Sequence, residues 1–371
     1  MAKKRFACIV GARPNFMKMA PLLRAFEAYP DAEPVLVHTG QHYDKNLSDI
    51  FFEQLEMRRP DITLEVGSGS HAVQTARVLE RFEAVLVEAA EQGKPFDRLV
   101  VVGDVNSTMA TSLAAAKLHV PIAHVEAGLR SFDRTMPEEI NRIVTDAIAD
   151  LLLVSEPDGF DNLRHEGHPE EHLRLVGNVM IDTLKFMLPK ARQSDILSTL
   201  NVEPGQYAVV TLHRPANVDT AETLGPLLDV LIDVSERLPV IFPIHPRTQE
   251  RIKRFGFDEK VASAKGITRT DPLGYLEFLC LTSQSKVIVT DSGGLQEEST
   301  VLGIPCLTAR PNTERPITVD QGTSTLVGSD ADKLRLLLEA VLDGTYKQGT
   351  CPELWDGHAA ERIARVLVEN S

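Results

Sequence analysis

A chain of 371 residues has room for two domains of ordinary size, and its 43% hydrophobic content lets both bury a core. Lys and Arg number 39 against 53 Asp and Glu, a net charge of −14, which argues against nucleic acid or an anionic membrane as a partner. No apolar run approaches the ~18–20 residues of a membrane span. The short apolar stretch after Lys3-Lys4-Arg5 runs into Gly11 and reads as a first strand, not a secretory signal. A soluble cytoplasmic protein is expected.

Short β-branched apolar runs fall at 6–10, 35–38, 99–102, 122–125, 151–154 and 173–176. A second set falls at 207–212, 240–244, 286–289, 305–308 and 324–327. Amphipathic stretches separate them. Continuous apolar strands alternating with helices indicate parallel sheets covered on both faces. Two sets indicate two doubly wound, Rossmann-like α/β domains. The expected division is 1–177 and 178–355, with a helix over 179–190 leading into the polar stretch 193–205. A last helix near 358–369 is expected to pack, with the rest of 356–371, on the first domain. Cys8, Cys280, Cys306 and Cys351 are far apart and form no CxxC or Cys/His cluster, so neither a metal site nor a disulfide framework is expected.

In such sheets ligands bind beyond the carboxyl ends of the strands. The first strand ends in Gly11-Ala-Arg13-Pro-Asn-Phe-Met-Lys18, where Arg13 and Lys18 are either anion contacts at a helix start or solvated side chains. No GxGxxG occurs, which disfavours a dinucleotide cofactor. The third strand of the first set ends in Gly103-Asp104. Asp104 either faces a substrate or caps the next helix, with Asn106 and Ser107 as rival caps. The fourth ends in His124-Val-Glu126, and an ionisable Glu there is uncommon unless paired or used. Pro137-Glu138-Glu139 then opens a helix. Glu138 and Arg142 stand i,i+4, so Arg142 is expected to hold Glu138, while Glu139 reads as an ordinary acid at a helix start.

In the second half, His213-Arg214 and His245-Pro-Arg247 each follow a strand, positions suited to acid/base or phosphate contact, though a lone His there is more often structural. Thr290-Asp291-Ser292-Gly293-Gly294 follows the strand at 286–289. Its backbone N–H groups would open a helix and seat a phosphate or diphosphate, or the glycines serve only turn and packing. Asp291 or Ser292 is the expected cap. Arg315, in Thr313-Glu-Arg-Pro, is placed to close on the same anion. No P-loop appears, and no metal clamp of the Asp-x-Asp type is expected.

Taken together, these motifs resemble the non-hydrolysing UDP-N-acetylglucosamine 2-epimerases. The stretches that carry the resemblance are GARPNFMKMAPL (11–22), HTGQHYD (38–44), GDVNST (103–108), HVEAGLRS (124–131), PEEINR (137–142), LHRPANVD (212–219), IHPRT (244–248), TDSGGLQEE (290–298) and TERP (313–316). They span nearly the whole chain in the family's order. The resemblance implies the glycosyltransferase-B architecture, with a nucleotide sugar between two Rossmann-like domains, a homodimer, and no cofactor. It places substrate contacts on Arg13, Lys18, Ser292, Gly293, Gly294, Glu298 and Arg315, and an aromatic beside the uracil on Phe278. Catalytic carboxylates fall on Asp104, Glu126 and Glu138, with a catalytic histidine on His213. A regulatory second nucleotide-sugar site would involve Gln41, Arg214 and His245. Two positions depart from the family: Asn15 stands where Glu is frequent, and Leu273 where a glutamine contacts the base.

The reaction the resemblance implies is reversible inversion at carbon 2 of the sugar, through loss and re-addition of UDP. HTGQHYD (38–44) and SFDRTMPEEINR (131–142) resemble a branch that also includes epimerases of diacetamido uronic acid nucleotides. A hydrolysing relative releasing N-acetylmannosamine and UDP shares the first step, and a silent nucleotide-sugar sensor is a further alternative. A retaining glycosyltransferase is disfavoured, because the positions eight beyond Glu297 and Glu298 are Pro305 and Cys306.

Overall fold

The computed structural model describes residues 3–40, 52 and 54–370. The chain divides into two compact units, Met1–Thr183 with Glu353–Ser371, and Leu184–Pro352. In the first unit the strands are β1 (Lys4–Val10), β2 (Ala32–His38), β3 (Ile62–Thr63), β4 (Arg98–Val102), β5 (Ile122–Ala127), β6 (Leu151–Val154) and β7 (Leu173–Leu175). They make one parallel sheet in the order β3-β2-β1-β4-β5-β6-β7. The second unit holds β8 (Ala208–Thr211), β9 (Val240–Pro243), β10 (Ile267–Thr270), β11 (Val287–Thr290), β12 (Cys306–Thr308) and β13 (Ser324–Leu326), parallel in the order β10-β9-β8-β11-β12-β13.

The central strands are apolar along their length because helices cover both faces of each sheet. Ala7, Ile9, Val37, Phe82, Leu99 and Val101 share one core in the first unit, and Val210, Leu228, Phe242, Val289 and Leu307 share one in the second. Two of the four edge strands, β3 and β10, have no counterpart among the apolar runs of the sequence. β3 is two residues long, and β10 reads Ile-Thr-Arg-Thr, half-exposed on an edge. The strand order reverses direction at β1/β4 in the first sheet and at β8/β11 in the second. Crevices for ligands open at such points, beyond the carboxyl ends of the strands.

The chain's last helix, Ala359–Glu369, lies in the first unit against the helix Arg13–Phe26. Trp355 is fully buried just ahead of it, its indole N–H donating to Ser155 O at 3.3 Å. Lys4 Nζ donates to Val368 O at 2.6 Å and Arg98 Nη2 to Asn370 O at 2.7 Å. At the start of this helix, Asp182 accepts from the N–H groups of Ala359 (3.1 Å) and Ala360 (2.7 Å), satisfying donors the helix cannot. Burial pushes the Asp182 carboxyl up to about 6, overcoming the opposite pull of those two N–H groups and Arg362.

The folded state therefore holds this proton more tightly than the unfolded chain, and the group's contribution to stability falls as pH rises from about 4 to about 6, then levels. Asp182→Asn removes that part of the slope. Urea-unfolding free energies measured across this range should show the variant gaining on the wild type as pH rises to about 6, with a constant difference above it.

Candidate functional site

In the first unit the charged groups gather where β1, β4 and β5 end. Asn15, in the first turn of the helix Arg13–Phe26, is 2% exposed. Its Oδ1 accepts from Gly11 N (3.3 Å) and Ala12 N (3.1 Å), and its Nδ2 donates to Val102 O at 2.8 Å. The amide thus ties the turn after β1 to the end of β4, a structural use of a position where the family often has Glu. One turn on, Lys18 forms an ion pair with Glu126. Glu126 is 3% exposed and sits in the left-handed region at φ 69°, where β5 shifts register between Val125 and Ala127. Such backbone in a residue other than glycine costs about 1–3 kcal/mol and persists where the surroundings hold it.

Gly103 makes this arrangement possible. Its φ is +66°, and a Cβ there would lie 2.9 Å from Lys18 Nζ and 3.4 Å from Glu126 Oε2. A side chain there would strain the left-handed backbone and crowd the ion pair over the turn. Asp104 follows at once. Its carboxylate accepts from Arg142 Nε (3.0 Å) and Nη2 (2.6 Å), and its carbonyl from Asn141 Nδ2 (2.8 Å). Asp104, Glu126 and Lys18 thus lie around one turn. The helix that begins at Asn106 has Val105 as its cap and no side-chain cap bond, so neither Asp104 nor its rivals cap it.

The pairing expected for Arg142 is corrected. Arg142 Nη1 donates to Glu139 Oε2 at 2.7 Å, and Glu139 also accepts from Ser131 N (2.9 Å), Ser131 Oγ (3.0 Å) and Phe132 N (2.8 Å). Burial alone would raise the Glu139 carboxyl, but these donors outweigh it and hold it below the ordinary value. Glu139, which reads as an ordinary helix-start acid, is 1% exposed, whereas Glu138 is exposed in the first turn of the helix Pro137–Ile148. The i+3 neighbour wins because Glu139 must find partners for a buried charge and Glu138 need not.

In the second unit the strand ends of β8 and β11 meet at Asp291. Its Oδ2 accepts from His213 N (2.9 Å), Arg214 N (2.8 Å) and Asn217 Nδ2 (3.0 Å), and its Oδ1 faces His213 Nδ1 at 2.7 Å. Burial pushes the carboxyl up, yet His213 and these N–H donors together hold it below the usual range. Arg214 Nε donates to Asp291 O at 2.9 Å. The His245 ring lies 5.6 Å from that of His213, and its Nδ1 accepts from Arg247 N at 3.1 Å. Burial, then the charges of His213 and Arg247, keep His245 below the ordinary histidine value.

Ser292 is the N-cap of the helix Gly293–Leu302, but no side chain caps that end; Asp291 is committed to His213 and Arg214 instead. The helix start is open on one side, since a Cβ at Gly294 would meet no heavy atom within 4 Å. At Gly293 a Cβ would lie 2.8 Å from Glu314 Oε1 and 3.5 Å from Arg310 Nη1. Uncapped N–H groups at the positive end of a helix suit an anion. Arg315, 5% exposed, is engaged by Glu297, and Glu298 is buried in the same helix. Phe278 is half-buried against Ile288, Leu295 and Ile304, and with Leu273 it also packs on the cluster containing Tyr207 and Leu281. Gln41 and the side chain of Arg13 lie outside the described residues.

Sequence reasoning missed Glu139, Asp291, Arg310 and the buried pair His124–Asp146. The signal for His124 was present: a histidine inside an otherwise apolar strand needs a buried partner.

Two parallel α/β sheets in this strand order make a fold of the glycosyltransferase-B type. The family described as UDP-N-acetylglucosamine 2-epimerase matches residues 24–368. The UDP-N-acetylglucosamine 2-epimerase of Methanocaldococcus jannaschii is 41% identical over 98% of this chain and 98% of its own. The UDP-2,3-diacetamido-2,3-dideoxy-D-glucuronate 2-epimerase of Pseudomonas aeruginosa is 39% identical over 97% of this chain and 98% of its own. The crystal structure of the M. jannaschii enzyme in complex with UDP-GlcNAc and UDP is similar with a TM-score of 0.86 and 40% identity, covering 98% of this chain and 99% of that one. This chain belongs to the UDP-N-acetylglucosamine 2-epimerase family of isomerases.

Arg142 bonds both Glu139 and Asp104. Its replacement in Arg142→Met should cost about 3 kcal/mol of unfolding free energy, because a buried carboxylate is left without its counter-charge. Urea unfolding monitored by circular dichroism measures the loss.

Proposed function

We propose that this protein interconverts UDP-N-acetylglucosamine and UDP-N-acetylmannosamine by inverting carbon 2 of the sugar. Family membership over nearly the full chain supports the reaction. The structural observation that carries the reading is the placement of Asp104 and Glu126 at the ends of neighbouring strands, each against its own cation.

The hydrogen on carbon 2 is too weak an acid for a carboxylate to remove alone. Elimination lowers the barrier. A base takes that proton, the C–H electron pair forms the double bond between carbons 1 and 2, and UDP leaves with the electrons of the bond from carbon 1 to oxygen. The bound products are a 2-acetamidoglucal and UDP. UDP then re-adds at carbon 1 while a proton reaches the opposite face of carbon 2. Asp104, Glu126 and Glu138 share the proton transfers. The helix start at Ser292, Gly293 and Gly294, with Lys18, Arg13, His213 and Arg315, receives the charge developing on the leaving diphosphate. Phe278 lies beside the uracil and Glu298 contacts the nucleotide sugar. The family resemblance also supports a homodimer, which sedimentation equilibrium tests.

The Pseudomonas aeruginosa relative, nearly as similar as the archaeal one, supports a second reading in which the substrate is a UDP-diacetamido uronic acid. Proton NMR in heavy water separates the two. With UDP-N-acetylglucosamine the expected result is UDP-N-acetylmannosamine carrying deuterium at carbon 2, approaching an equilibrium mixture. Turnover of the diacetamido uronic acid nucleotide alone would establish the second reading, and free N-acetylmannosamine plus UDP would place the protein with hydrolysing relatives. Glu126→Gln should lower kcat by at least ~10²-fold if that carboxylate transfers a proton; near-normal turnover removes it from the role.

A further inference from the structure

Behind Asp104 and Glu126 lies a charged cluster that the chemistry above does not use. His124 is fully buried in β5, two residues before Glu126. Its Nε2 lies 2.9 Å from Gly103 O, and its Nδ1 lies 2.6 Å from Asp146 Oδ1. Asp146, also fully buried, receives Arg130 Nη1 at 2.7 Å and Gly128 N at 3.1 Å on its other oxygen. Arg130 is in turn gripped by both oxygens of Glu166, at 2.8 and 2.7 Å.

The proton positions follow from the partners. A backbone carbonyl only accepts, so Nε2 donates to Gly103 O. Burial would raise the Asp146 carboxyl, but the charge and hydrogen bond of His124, and then Arg130, hold it below the ordinary value. A carboxylate also only accepts, so Nδ1 donates to it.

Gly103 is thereby fixed on both sides to β5. Its N–H donates to Val125 O at 3.1 Å, and its carbonyl receives His124 Nε2. This is the glycine over which Lys18 and Glu126 pair, and the residue before Asp104. We propose that the His124–Asp146 pair is a positioning element that locks the Gly103–Asp104 turn against the strand end bearing Glu126, and so sets the spacing of the two carboxylates. An apolar side chain at 124 would fill the core without the cost of a buried charge. What the ring adds is a fixed bond to the turn, and proton transfer is sensitive to that geometry.

The inference rests on the epimerase reading, and the test separates the two. His124→Gln keeps a donor for Gly103 O but cannot also span to Asp146. Asp146→Asn keeps the ring and removes the charge that holds it. For both, kcat is expected to fall on the order of 10- to 100-fold while KM and the dissociation constant for UDP stay within about two-fold of wild type. Folded variants with kcat within about two-fold of wild type overturn the proposal. A loss shared by kcat, KM and UDP affinity also overturns it, because that marks general loosening. If His124→Gln fails to fold, Asp146→Asn decides. A wild type that makes no epimer overturns the epimerase reading instead, whatever the variants do. In that event the imidazole 15N signals of His124 decide this proposal: two protonated nitrogens that Asp146→Asn perturbs uphold the bonded pair, and a single-proton tautomer overturns it.

Discussion

A carboxylate held out of water needs a cation or a set of N–H donors against it, and the ligand end of the first sheet is organised around that need. Glu126 meets Lys18, Asp104 and Glu139 share Arg142, and Asp146 meets His124 and Arg130. The Lys18–Glu126, Arg142–Asp104 and His124–Asp146 pairs each join a strand, or the turn after it, to a neighbouring helix, so balancing charge and fixing geometry are one task. The helix Pro137–Ile148 does this twice, with Asn141 on the Asp104 carbonyl and Arg142 on its carboxylate. Ion pairs of this kind add little net stability over an apolar core, but losing one partner is costly. They act here chiefly as fixed struts, and the price is backbone strain at Glu126.

The second unit solves a different problem with the same rule. Its strand ends carry His213, Arg214, His245 and Arg247 within a chain of net charge −14. The one deeply buried acid at the β8 and β11 ends, Asp291, is saturated by His213, Arg214 and Asn217. That leaves the start of the helix Gly293–Leu302 without a side-chain cap and its N–H groups available.

Much of this was legible in the sequence. The inner strands announce themselves as continuous apolar runs, because strands covered on both faces have no polar side to show. The glycine turns at 103 and 293–294 mark the places where the backbone turns out of a sheet. Of the four edge strands, β7 and β13 fall on apolar runs, but β3 and β10 were not legible: β3 is two residues long, and β10 reads Ile-Thr-Arg-Thr, with too little apolar surface to show. Partner choice was not legible either. Spacing allowed Arg142 to reach Glu138 or Glu139, and only the burial of Glu139 decides between them. Asp291 read as a helix cap because its competitor, the backbone after β8, lies some eighty residues away in sequence and adjacent only in the folded sheet.

The return of the chain's end to the first unit has a consequence for synthesis. On the ribosome most of the first unit emerges early, yet the face of the helix Arg13–Phe26 that receives Ala359–Glu369, and the site that Trp355 fills, stay uncovered until residues 353–370 are made. The second unit emerges entirely in between. The half that carries the paired carboxylates is therefore the last to be completed, with apolar surface exposed for most of translation. Such surface is what chaperones bind and what aggregates when synthesis stalls.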